Sequence, residues 1–127
     1  MLYKHGRTLL SRDSDDTATD DATSDVVHLT DDTPEDKQSY GVAFSFTLAD
    51  GTAPTLDASL LTSWDNEHFV EAAAMTQLTA NGSTAEFTPV EALGPYNKAV
   101  VTGGGTAKAS WHGSVRVVAT NRVRTIS

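Results

Sequence analysis

The chain has 127 residues, no cysteine, and 17 acidic against nine basic side chains, a net charge of −8. That length suits one domain that buries roughly two-thirds of its surface, so no metal or disulfide is needed to hold a core. The missing cysteines exclude a disulfide framework, a thiolate nucleophile and a cysteine-type zinc site.

The acidic balance argues against nonspecific nucleic-acid binding, which relies on Lys and Arg to neutralise phosphates. Apolar runs are too short for a transmembrane helix. Met1–Arg7 lacks the apolar core of a secretory signal, so export by that route is not expected. Charge is segregated along the chain. Residues 1–39 hold ten acids and four bases, residues 40–91 seven acids and no base, and residues 92–127 five bases and no acid. Such segregation favours contacts between an acidic face of one copy and a basic strand of the next, or pairing of opposite charges within one fold.

Residues 1–12 mix bases with Leu2, Tyr3, Leu9 and Leu10, and are too few for an isolated helix in water. Residues 13–25 contain six Asp and no large apolar side chain, so alone they cannot offset their ordering entropy. They read as a linker or extended arm. Val26–Leu29 suits an edge strand, and Pro34 punctuates a loop. The expected division is an extended acidic arm over residues 1–39 and a β-sandwich domain over 40–127, the latter folding without the arm.

From Tyr40 to Leu48 large apolar residues alternate with small ones, which is a strand. Asp50-Gly51 opens a turn. Leu56, Ala58, Leu60, Thr62 and Trp64 then occupy one face of a second strand, because successive side chains point to opposite faces. Asp65–His68 supplies turn chemistry, and Phe69–Leu78 is read as the returning strand of a hairpin. Asn81-Gly82 is a turn dipeptide before the strand Thr84–Thr88. Pro89–Pro95 reads as a loop with room for one helical turn at Val90–Leu93. Tyr96–Thr102 is a strand, Gly103–Gly105 a hairpin turn, Val115–Ala119 another strand, and Asn121–Ile126 a final alternating segment. Short strands about ten residues apart, with turn residues between them, indicate an all-β antiparallel sandwich or barrel. The expected core is Phe44, Phe46, Leu60, Trp64, Phe69, Phe87, Val100, Trp111 and Val117.

No catalytic constellation emerges. His5, His28, His68 and His112 show no metal spacing. Asp13 and Asp15 match the first ligands of a calcium loop, but Thr17 and Ala18 stand where an acid or amide and a glycine are required. Ser59 and Ser63 lack a nucleophile-elbow context, and no cofactor is implied. The chain therefore reads as a non-enzyme.

From Leu56 to Val118 the motif order resembles small virion proteins of tailed bacteriophages, especially capsid decoration or cement proteins. The residues concerned are Trp64-Asp-Asn-Glu-His-Phe69, Thr79-Ala-Asn-Gly82, Leu93-Gly-Pro-Tyr96, Ala99–Thr106 and Val115–Val118. These motifs resemble jelly-roll modules of phage tails and baseplates equally. The resemblance implies a jelly-roll-type β-sandwich that oligomerises, often as a trimer. It also implies a place on the capsid surface of the virion, where the protein bridges and stabilises the major capsid protein, with no nucleic-acid or membrane partner. It supplies no active site. The candidate partner-binding residues are Leu2, Tyr3, Leu9, Leu10, Tyr96, Arg122 and Arg124. The alternatives are a phage tail component or a carbohydrate- or cell-surface-binding sandwich. Tyr96 is the one aromatic side chain expected in a loop, which disfavours sugar binding.

Overall fold

The computed structural model describes residues 4–29, 39–90 and 93–120. They form nine strands: β1 Lys4–Arg12, β2 Ala22–Thr23, β3 Val27–His28, β4 Ser39–Ala49, β5 Thr52–Ser63, β6 Val70–Ala74, β7 Gly82–Val90, β8 Tyr96–Ala107 and β9 Ser110–Thr120. One sheet runs β1-β9-β4-β7, and the other runs β2-β8-β5-β6 with β3 also on β8; every pairing is antiparallel. Only β5–β6 is a hairpin between adjacent full strands of one sheet, while β4 to β5, β6 to β7, β7 to β8 and β8 to β9 cross between sheets. This order is a jelly roll, the double Greek key that closes a sandwich with few exposed edges. The all-β sandwich expected from strand spacing is what forms.

The core lies between the sheets. Phe44, Phe46 and Leu48 of β4 and Leu56, Ala58 and Leu60 of β5 meet Ala99, Val101, Trp111, Val115 and Val117 of β8 and β9, all fully buried or nearly so. Trp111 is fully buried and packs edge-on to Phe46 at 5.6 Å. Each strand contributes alternate residues, as a half-buried strand must.

The N-terminal segment departs from expectation. Residues 4–12 are strand β1, paired with β9 from Lys4↔Thr120 to Arg12↔Gly113. A bulge between Thr8 and Leu10 puts an extra residue into β1. Leu9 and Leu10 are both core residues, at 9% and 8% exposure, not anchors for a partner. The acidic stretch that cannot order itself is ordered by tertiary contacts. Arg12 Nη1 donates to Ala18 O at 3.0 Å while its guanidinium lies 3.8 Å from the Trp111 ring. Trp111 Nε1 donates to Asp20 O at 2.9 Å, and Trp111 N donates to Ala18 O at 3.0 Å. Asp21 Oδ1 accepts from Gly103 N at 2.9 Å and faces Lys108 Nζ at 3.6 Å. Residues 4–29 thus complete one edge of each sheet, so residue 39 does not separate a free arm from the sandwich.

Local corrections share one cause: the partner strand, not propensity, sets the facing. Trp64 follows the last residue of β5 and is 61% exposed, because its parity no longer applies once the strand ends. Phe87 is 54% exposed on the outer face, where its ring covers Gly41 of β4; a Cβ at residue 41 would collide with that ring. Phe69 is only half-buried, with Lys98 Nζ 4.3 Å from its ring centre. In Ala99-Val100-Val101 both faces are apolar, so the pairings Leu60↔Ala99 and Ala58↔Val101 decide, and Val101 rather than Val100 turns inward.

Gly103–Gly105 is not a turn. Strand β8 continues through it opposite Pro54–Leu56. Gly105 has φ 103° and faces the Ala53 carbonyl too closely for any side chain. The suggested helical turn at 90–93 and the strand at 121–126 fall largely or wholly outside the described residues.

Trp111→Ala should cost about 3–5 kcal/mol in urea titration, whereas Trp64→Ala should stay within about 0.5 kcal/mol. Leu10→Ala should cost about 2–3 kcal/mol. Removal of residues 1–29 should abolish the cooperative transition instead of leaving the remainder unaffected. An unchanged midpoint in the truncated protein would show that β1 is dispensable.

Candidate functional site

The β5–β6 turn is held by one carboxylate. Asp65 Oδ1 accepts from Ser63 Oγ at 2.8 Å, Glu67 N at 2.9 Å and His68 N at 2.8 Å. Asp65 Oδ2 lies 2.8 Å from His68 Nδ1. Asn66 adopts the left-handed conformation, φ 61°, that Asn tolerates. The His68 backbone N–H, then its imidazole, then the Glu67 N–H and the Ser63 hydroxyl hold the Asp65 carboxyl far below its ordinary value of 3.8.

Asp65, Glu67 and His68 bring potential metal ligands within 4.8 Å of one another, all exposed. Both Asp65 oxygens are already engaged by the turn. A serine, an aspartate and a histidine meet here, but in the wrong order for acyl transfer. The Ser63 hydroxyl is fully buried and donates to the carboxylate instead of to the imidazole. A nucleophile needs its base within direct reach.

The turn's consequence is steric, since it presents Trp64 outward. Behind it, Gly94 passes so close to the Ser63 carbonyl and the Trp64 ring that a side chain there would clash. Gly94 N donates to Thr62 Oγ1 at 2.8 Å, and Asn97 Nδ2 donates to Gly94 O at 3.0 Å, both buried. The loop and the end of β5 are therefore one rigid unit.

Beside it lies the open flank of the sandwich. Strand β6 ends one sheet and β7 the other. Between them a groove of about 380 Å³ is lined by Thr62, Trp64, Val70, Glu71, Ala72, Pro89 and Val90. Val70 is 56% exposed although its partner Thr62 is buried. Further along, Glu86 of β7 accepts from Thr76 N at 2.9 Å and Thr76 Oγ1 at 3.0 Å, which ties the two edges together. Among the described residues the groove thus combines an apolar rim with the acidic Glu71.

The candidate residues read from sequence do not converge on this groove. Leu9 and Leu10 are core. Tyr96 is half-buried on β8 opposite Ser63, its carbonyl accepting from Thr62 Oγ1 at 3.5 Å and its ring 5.2 Å from that of His28. Leu2, Tyr3, Arg122 and Arg124 lie outside the described residues. The residues missed, Trp64, Val70, Pro89 and Val90, carried one usable signal: a proline inside a strand marks a sheet edge.

No family model matches the chain, and no curated protein matches it. Among solved structures, one of the infectious bursal disease virus Gx strain is similar, with 14% identity and a TM-score of 0.47. The match covers 98% of this chain and 33% of that one, so this chain spans about a third of the length of the chain it matches.

Because Asp65 is depressed in the folded state, its contribution is complete above the ordinary carboxylate value and is lost as pH falls toward the lower folded value. The Asp65 side-chain carboxyl resonance should therefore keep its ionised position through the ordinary carboxylate range and move only well below it. In Asp65→Ala the Glu67 and His68 amide resonances should be displaced from their positions in the unmodified protein. An Asp65 carboxyl that titrates at its ordinary value would remove these hydrogen bonds from this role.

Proposed function

We propose that the chain is a structural virion protein that sits on the capsid surface, bridges capsid subunits and assembles with copies of itself, with a trimer the expected form. The observation that carries this reading is the open β6–β7 flank, where Trp64 and Val70 are held at the surface by a rigid turn. Large exposed apolar side chains around a groove have a cost unless something covers them. The jelly roll recurs in capsid proteins, lectins and cupins, and fold alone does not choose among them. A cupin-type centre needs ligands converging inside the sandwich. Among the described residues the clustered ligands instead lie on an exposed turn. The phage decoration-protein motifs in the sequence point the same way as the open flank.

A carbohydrate-binding role is the second reading, and Trp64 favours it, since the turn presents a large aromatic ring where the strand pattern alone predicts a core residue. Against it, among the described residues the groove's lining is mostly apolar, with Thr62 and Glu71 its polar side chains. Sugar hydroxyls demand several convergent donors and acceptors.

Mass spectrometry of purified virions from cells carrying the gene tests the first reading. The chain should be present in repeated stoichiometry with the major capsid protein and should be released as intact subunits by mild denaturant. Its absence from such particles, together with quenching of Trp64 fluorescence by an oligosaccharide, would establish the second reading instead.

A further inference from the structure

We infer that one copy docks on the next by continuing the β1-β9-β4-β7 sheet: the β1 edge of one copy adds antiparallel to the β7 edge of its neighbour. His5 and Gly6 of the first copy then lie beside Val90 and Pro89, at the rim of the second copy's groove. This deepens the reading of the chain as an assembling structural protein and rests on it. The geometry comes from topology. Because each neighbouring pair is antiparallel, β1 and β4 run one way, and β9 and β7 the other. A neighbour's β1 placed beside β7 therefore keeps the alternation. The two free edges are also matched in length, at nine residues each.

The cross-strand ranks of the sheet fix the register. Arg7, Val117, Val42 and Thr88 form one rank, and Leu10, Val115, Phe44 and Glu86 another. Carried across the contact, the neighbour's Arg7 falls beside Thr88, diagonal to Glu86 on the same face. That spacing is within reach of a long side chain.

Arg7 is exposed, and no acid among the described residues pairs with it. Strand β1 carries Lys4, Arg7 and Arg12 and no acid, whereas Glu86 is the one charged residue of β7 and Glu71 lies on the adjoining edge. Two β1 edges repel each other, as do two acidic flanks, so charge selects β1 against β7. Lys4 lies in the rank of Thr120 and Ser39, at the end of the sheet where β7 finishes with Val90. The docked β1 thus runs along the Pro89–Val90 rim of the apolar groove. Pro89 and the bulge at Leu9 interrupt the two edges. Backbone pairing is therefore incomplete, and the Arg7–Glu86 pair and the groove determine the choice of partner. Such a contact is heterologous and closes into a ring when the rotation permits.

Sedimentation of the full chain over a range of concentrations, at low and high salt, tests this. The unmodified protein should associate reversibly and more weakly at high salt. R7E and E86R should each weaken association about tenfold, and the R7E/E86R double variant should recover it, because the reversed charges meet across the contact. Trp64→Ala, which strips the groove behind that rim, should weaken association while the urea midpoint stays unchanged. E71K, at an exposed position on the groove, serves as a second charge probe should E86R lower that midpoint. A protein that stays monomeric throughout, or a double variant no better than the single ones, overturns the inference. If that result accompanies a chain found in virions, the docking mode fails and the function stands. Charge-swap recovery in a chain absent from virions would instead keep the docking mode and remove the virion role.

Discussion

Trp111 is the point on which the two ends of the chain depend. Its indole is fully buried against Phe46, its ring stacks under the Arg12 guanidinium, and its two N–H groups hold the carbonyls of Ala18 and Asp20. A buried tryptophan needs a partner for its ring N–H, and here the acidic segment supplies it. The same residue therefore fills the core, satisfies its own polar atom and fastens a stretch that has nothing of its own to bury.

Much of the fold is legible in the residues. The β4 alternation from Tyr40 to Leu48 and the β5 alternation from Leu56 to Thr62 survive intact because both strands are central, with a sheet opposite them along their length. Legibility fails at the edges. On the edge strand β7, Thr84, Glu86 and Thr88 are half-buried while Phe87 lies exposed over Gly41. A rule that places aromatics inside has no access to that facing. The N-terminal segment defeats local pattern for a related reason. Its composition describes what it would do alone, but β9, about a hundred residues later in the chain, decides what it does.

The candidate site is legible only in fragments. Asp65–His68 announces a turn by its chemistry, yet nothing in the sequence says that the turn ends β5 one residue before the tryptophan. Once Trp64 is outside, Val70, Pro89 and Val90 join it through strand pairings that local pattern does not encode. Function of this kind rests on where two sheets stop, and a sheet's boundary is a property of the whole chain.

The neighbouring placement of β1 and β9 has a consequence for how the protein is made. Strand β1 leaves the ribosome long before β9, yet β9 is its partner in the sheet, so Leu9 and Leu10 can be buried only after β9 has appeared. Contacts so distant in sequence make for high contact order and slow folding. Until then, two leucines and an unpaired strand remain exposed. The many aspartates between β1 and β2 are well placed to keep that waiting segment soluble, a service performed before the native structure exists.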